Sequence, residues 1–443
     1  MTLFLLLLAT LAFALNLNAP AELSDAPAVL LILEYIGVLA IANILIRKGL
    51  HAPKEIKIRY MNCFLIGFTI SLLFLYFVWT PGLPESSRDW GFDPQRYYLY
   101  SSSFVRGDPV ITGLNYFGVV FFYVFLFFLF GIDPLIPLFV NVLLTLYAVI
   151  LIANHFESLG GKGKYFSLLL LIPEVLYFNV ISSREIICLS LATISLLKGY
   201  KLISGARGVL SILAFFFPLL LLVVIRPPMG AGVILAIGLF FVIGSGVRLK
   251  KKQIAILALL GCAFVAGIAI STSLDTNGRD TGDDISEAIE ERVEGNVEAG
   301  GQHQFQSNSM AKRLIPHNTA EFVIYGFIRT IAYVIVPPSV VLNPFEALAM
   351  NTPTTESFAH ITSLLLMLCI PKVWRVLRKD MRGQPKVKVV GFAFIVFFFL
   401  VGYFNVTMIH QRYRLTWDLF YFALVAYYYS IHNQRVLKNA DTN

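Results

Sequence analysis

An all-α, polytopic transmembrane bundle is the fold this sequence predicts, and three observations predict it. Apolar residues make up 57% of the chain and charged residues only 14%. Apolar runs close to the roughly 20 residues needed to cross a bilayer recur from one end to the other. Runs such as Leu168 to Ile172 and Phe392 to Val401 are apolar on every face, whereas a membrane β-barrel needs short strands in which every second residue is polar.

Taken in order, the expected spans are 2–17, 27–46, 60–79, 134–153, 165–181, 185–203, 208–225, 229–246, 253–271, 357–371, 389–407 and 416–432. That makes about twelve crossings in one transmembrane domain over 1–443. Met1 to Asn16 is apolar like a signal peptide but lacks the basic start of one, so it reads as a retained first helix.

Lysine and arginine collect in cytoplasmic loops and so orient the spans. Arg47, Lys48, Lys54, Lys57 and Arg59 form one basic loop, Lys162 and Lys164 a second, and Lys198, Lys201 and Arg207 a third. Arg248 with Lys250 to Lys252, and Lys372 to Lys388, complete the set and put both termini inside. Val110 to Phe130 is apolar enough to cross, but counting it would place every later basic loop on the wrong side. It is therefore expected to lie in or dip into the outer leaflet, as is Phe322 to Val336, each bounded by turn residues. Two large outer loops result, 80–133 and 272–356. In the second, Ile285, Ile289, Val293 and Val297 recur every fourth residue within a polar stretch, the pattern of a small amphipathic helix.

Composition also excludes several function classes. Cys63, Cys188, Cys262 and Cys369 lie inside apolar segments without metal-ligand spacing, so they read as core residues; no metal or other cofactor is expected. No P-loop, dinucleotide-binding glycine pattern, internal repeat or nucleic-acid module occurs. The net charge of +8 comes largely from the inner loops and reports orientation and contact with anionic membrane lipids, with no nucleic-acid partner.

The stretch from Glu85 to Tyr98 gathers carboxylates, arginines and aromatics in the first outer loop. Asp93, with Asp89 four residues earlier, offers a base able to take a hydroxyl proton. Asp93 before Pro94 is equally the start of a helix, Asp at the cap and Pro at the first turn. Trp90, Phe92, Tyr97 and Tyr98 suit either stacking on a sugar ring or anchoring at the interface. The outer face carries Arg88, Arg96, Arg106, Arg184, Arg226, Arg279, Arg292, Arg313, Arg329, Arg412 and Arg414 but a single lysine, Lys312. Guanidinium forks bind phosphate oxygens bidentately, although long cationic side chains also snorkel to an interface. Arg184, Arg226, Arg412 and Arg414 sit in short turns pinned against span ends.

In this order of features the chain resembles the GT-C superfamily of polyprenyl-phosphate-dependent glycosyltransferases and the related bacterial polysaccharide polymerases. The resemblance rests on an early span followed by an outer loop with Asp93 and Tyr97, a juxtamembrane helix ending in Phe128 to Pro134, and later outer turns bearing arginine. Those turns are Ser182-Ser-Arg-Glu-Ile186, Arg226-Pro-Pro228 and His410-Gln-Arg-Tyr-Arg-Leu415. It departs from the commonest transferase pattern in that Pro94, not a second acidic residue, follows Asp93. The resemblance implies a GT-C-like fold in a bacterial inner membrane and transfer of sugar from a polyprenyl-linked donor to a glycan or lipid-linked acceptor. Asp93 and Asp89 would be catalytic, and Arg96, Tyr97, Arg184, Glu185, Arg226, His410, Arg412 and Arg414 would hold substrate. The competing reading is a transporter or lipid-linked-oligosaccharide flippase, for which Glu34 and Glu174 inside predicted spans speak.

Overall fold

Helix is the form of nearly all of the described chain, and no strand occurs among the described residues. The computed structural model describes residues 1–17, 24–78, 93–108, 114–203, 208–244, 321, 324–325, 327–328, 354–380, 393–396 and 415–440. The expected span at 253–271, the amphipathic pattern of 285–297, and most of 322–336 and 389–407 lie outside the described residues.

The first helices are α1 (Thr2–Leu17), α2 (Ala28–Ile44), α3 (Lys54–Val78), α4 (Asp93–Arg106), α5 (Leu114–Phe130) and α6 (Leu135–Glu157). A π-helical turn, Leu45–Gly49, extends α2. Among the described residues three helices are long and apolar enough to cross a membrane: Ala28–Gly49, Lys54–Phe77 and Leu135–Glu157, of 22, 24 and 23 residues. The 17 residues of α5, like the 16 of α1, are fewer than in these three.

The expected span at 165–181 takes a different form. It consists of a 3-10 helix, Gly163–Leu171, and a short α7, Pro173–Val180. Pro173 lacks the N–H that would continue the first helix and has the backbone angle that starts a new one. Glu174 then occupies the first turn of α7, where the helix dipole favours a carboxylate. After four residues α8 (Glu185–Ile203) turns away by 118°. Further on come α9 (Val209–Ile225), α10 (Pro227–Gly244), α11 (Thr354–Arg375) with a π-helical turn at Val376–Asp380, and α12 (Leu415–Ala440).

Packing divides the chain into two units, the first made of 1–197, 372–380 and 419–443, the second of 198–371 and 381–418. In the first, α1 runs parallel to α3: the Thr2 hydroxyl donates to Asn62 Oδ1 at 2.7 Å, and the Asn16 amide donates to the Leu72 carbonyl at 3.0 Å. The Phe13 and Tyr35 rings stack at 4.3 Å and Phe68 packs on both Tyr35 and Phe139, joining α1, α2, α3 and α6. Between helices in lipid such close packing supplies dispersion energy where the hydrophobic effect does not. Gly67 of α3 approaches the 3-10 segment so closely that an added Cβ would stand 3.0 Å from the Leu170 carbonyl oxygen.

Outward faces complete the membrane pattern. On α1, Leu3, Leu7, Leu11 and Leu15 are exposed at four-residue intervals, and on α9, Leu210, Leu213, Phe217, Leu220 and Val224 form the same kind of stripe. Contiguous exposed apolar stripes of this length suit lipid, not water.

The two ends of the first unit differ in charge. At one end the Asp25 amide donates to the Ile132 carbonyl at 2.9 Å, and Arg106 pairs with Asp25 at 2.7 Å. There Gly131 turns the chain into α6 at φ 89°, and a Cβ on it would meet that of Ala26 at 2.9 Å. At the other end Asn154 of α6 donates to the Gly49 carbonyl at 2.6 Å, Lys57 donates to the Arg47 carbonyl at 2.7 Å, and the Lys162 amide donates to Ser430 Oγ of α12. The first two basic loops and the C-terminal helix therefore share one end, while Asp133 and Arg106 mark the opposite one.

In the second unit α9 and α10 form a hairpin at Arg226. Val223 is so close that a Cβ on Gly230 would lie 2.9 Å from its Cα. Gly199 gives similar room to Ile237 and Phe215, and Phe394 meets Trp417 edge-on at 5.3 Å.

Candidate functional site

A buried polar cluster forms around the break between α7 and α8. The last carbonyls of a helix have no partner within it and must find one when buried. Asn141 of α6 supplies it: its amide donates to the carbonyls of Phe178, Asn179 and Ile181 at 3.4, 3.3 and 3.2 Å. Thr145, one turn further along α6, donates to Asn179 Oδ1 at 2.8 Å. From α5, the Tyr123 hydroxyl donates to the Ser183 carbonyl at 2.9 Å. That hydroxyl also lies against Asn141 and within electrostatic reach of Glu185 and Tyr97.

Two separate stretches of candidate residues thus converge on Tyr123. Tyr97, from the loop after α3, is fully buried in α4, and Glu185 opens α8 at 5% exposure. Asp93 begins α4, as the Asp-Pro pair predicts, and lies one turn ahead of Tyr97. Asp89, His410, Arg412 and Arg414 lie outside the described residues, as do the side chains of Asp93 and Arg96.

Arg184 lies in the short turn between α7 and α8, immediately before α8 begins. Ser182, Ser183 and Glu185 around it are all buried, and Arg184 itself is half-buried. Asn141 stands six residues after Leu135, the start of α6. The turn it caps is therefore about 9 Å along the helix from the end marked by Asp133, at 1.5 Å per residue. Arg226 is likewise buried, at 6% exposure, in the α9–α10 corner of the second unit. Its carbonyl accepts from the amides of Met229 and Gly230 at 3.0 and 3.1 Å.

A second polar group closes the Asp133 end. Ser24 Oγ donates to Asp133 Oδ2 at 2.5 Å, and the Leu135 amide donates to Oδ1 at 2.7 Å, capping α6. Burial pushes the Asp133 carboxyl above its ordinary range, against the downward pull of these two hydrogen bonds. Burial, and next Asp133 itself, push the Tyr98 phenol well above its usual range, so it stays protonated. Glu34 of α2 lies within electrostatic reach of Asp133, and both its carboxylate oxygens are buried without a hydrogen-bond partner among the described residues.

The sequence reading missed Tyr123, Asn141, Thr145 and Asn179. The available signal was a lone amide or hydroxyl inside an apolar run, which has to find a partner in a bilayer. Among the described residues no group of three His, Cys, Asp or Glu could hold a metal ion. No protein-family model, curated protein or solved structure matches this chain.

Proposed function

We propose that this protein is a membrane glycosyltransferase of cell-surface polysaccharide assembly, with a GT-C-like bundle of about twelve spans. It would act on the outer face of a bacterial inner membrane, with the basic end and both termini cytoplasmic. The donor is a sugar on a polyprenyl phosphate or diphosphate, and the acceptor a glycan or lipid-linked glycan.

The observation that carries this reading is the hydrogen bond from Tyr123 to the Ser183 carbonyl, with Tyr97 and Glu185 both within electrostatic reach of that hydroxyl. It joins the helix that begins at Asp93 to the turn that holds Arg184. A base and a phosphate-binding cation are the two groups such a transfer requires. The bond between the anomeric carbon and the phosphate oxygen breaks, its electron pair leaving on phosphate, while the acceptor oxygen bonds to that carbon and gives its proton to Asp93. Arg184 would hold the leaving phosphate, with Arg226, Arg412 and Arg414 as further candidates. Whether one sugar or a whole repeat unit moves is a matter of the acceptor, and both use the same groups.

A second reading, a transporter or flippase, is favoured by Glu34 and by the broken helix between Val180 and Glu185, features of ion and substrate pathways. Analysis by mass of polyprenyl-linked glycans in a deletion strain separates the two. Transfer predicts accumulation of an unextended lipid-linked intermediate accessible from the outer side. The same intermediate confined to the inner leaflet would sink the transferase and favour the flippase.

A further inference from the structure

The helix α11 ends in a basic turn held by aromatic side chains of α12. Lys372 Nζ lies 5.3 Å from the ring centre of Tyr429, and Arg375 Nη1 donates to the Tyr428 hydroxyl at 3.0 Å. Tyr428 in turn stacks on His432 at 5.6 Å with the ring planes 8° apart. Cations are usually free to wander at a surface, but here one guanidinium is fixed by a stacked pair from α12. Trp374 beside it is 63% exposed, and Arg375 and Arg378 are exposed as well.

Earlier in the same helix Ile361, Leu364, Leu365 and Leu368 are exposed at helical spacing. An apolar stripe followed by an exposed Trp and then by arginines is the order of a bilayer boundary read from hydrocarbon to headgroup. At that depth the nearest anions are lipid phosphates. A guanidinium is weakly hydrated and binds phosphate oxygens through a planar fork, so one held in place loses little freedom on binding.

We propose that Lys372, Arg375 and Arg378, braced by Tyr428 and Tyr429, form a headgroup site for an anionic phospholipid at the basic end of the first unit. The site is independent of the transferase reading. The Tyr428 hydroxyl positions one of its cations, and the Tyr429 ring lies beside another.

The test uses the full chain in detergent, offered equal phosphatidylglycerol and phosphatidylcholine of matched chains, with retained lipid counted by native mass spectrometry. Preference for phosphatidylglycerol should fall about tenfold in R375Q/R378Q, since each basic residue near an anionic surface is worth about fivefold before screening. Y428F should lower it severalfold without changing any charge, whereas K48Q/K54Q should leave it intact. An unchanged preference in R375Q/R378Q overturns the site, and so does an equal fall in K48Q/K54Q, which would mean diffuse attraction. Loss of the preference on adding millimolar inorganic phosphate would also overturn it, by assigning the residues to a free anion. Should R375Q/R378Q fail to fold, Y428F decides alone: an unchanged preference there rejects the proposal.

Discussion

The Tyr123 hydroxyl reaches the Ser183 carbonyl at 2.9 Å and so ties α5 to the turn between α7 and α8. The hydrogen bond thereby locks α5 to a pair of helices that bend by 118° at their junction. The bond ties the Arg184 turn to α5, against which α4 with its buried Tyr97 is packed.

Tyr123→Phe removes the donor and leaves a buried carbonyl without it. The expected cost is about 1–3 kcal/mol, read as a lower midpoint of thermal denaturation in detergent. If the cluster is the transfer site, turnover measured well below the wild-type midpoint should also fall, because Glu185 and Tyr97 lose their common neighbour. Lower stability with full turnover would confine Tyr123 to a structural role.

Asp133 makes stability depend on pH in a known direction. Its carboxyl is raised in the folded protein, chiefly by burial, so the native state holds the proton more tightly than an unfolded carboxyl of about 3.9 does. That contribution is fully present below the unfolded value and is lost as pH rises through the folded one. Asp133→Asn keeps an acceptor for the Leu135 amide but has no proton to lose. The wild type should therefore be at its best relative to the variant near pH 4 and lose that advantage as pH rises. Parallel curves across the range would place the folded carboxyl at its ordinary value.

The orientation can be read with an impermeant thiol reagent in a cysteine-free background. Asp108 and Lys54 are both exposed and belong to opposite ends of the first unit. With the basic end inward, Asp108→Cys should react in intact cells and Lys54→Cys only after permeabilisation. The reverse pattern would turn the protein over and put the Asp93 loop in the cytoplasm.

What was legible in the sequence followed from period and charge. The helical class, the approximate ranges of α2 and α6 and the grouping of the first two basic segments come from hydropathy and lysine position, which are local quantities; α3 begins at Lys54, ahead of the expected 60, and takes up Lys54, Lys57 and Arg59, which had the look of a loop. The break at Pro173 was signalled, but the burial of the turn after it was not. That burial depends on Asn141 lying opposite the end of α7, 37 to 40 residues away in the chain, and no local pattern encodes such a pairing. Tyr97 was read as a loop aromatic for the same reason. Its partner Tyr123 sits in a run dominated by Phe and Val, where a tyrosine passes for one more apolar ring.

The decisive substitution is Asp93→Asn. The residue opens α4 one turn ahead of buried Tyr97, so it begins an element that is firmly packed against α5. Asn retains size and an oxygen able to cap the helix, while it cannot accept a proton at any relevant pH. A purely structural Asp93 therefore predicts a protein that inserts, folds and transfers sugar at nearly the normal rate. A catalytic one predicts normal insertion and donor retention with transfer lowered by about a hundredfold or more, the usual worth of a general base. Asp89→Asn should be milder, and Arg184→Lys should impair transfer although it keeps the charge, because a single ammonium does not reproduce the fork. Normal transfer in Asp93→Asn with an inactive Asp89→Asn would move the base one turn back. Full activity in both would leave the loop as scaffold and make Glu185, the buried carboxylate at the α8 start, the next residue to change.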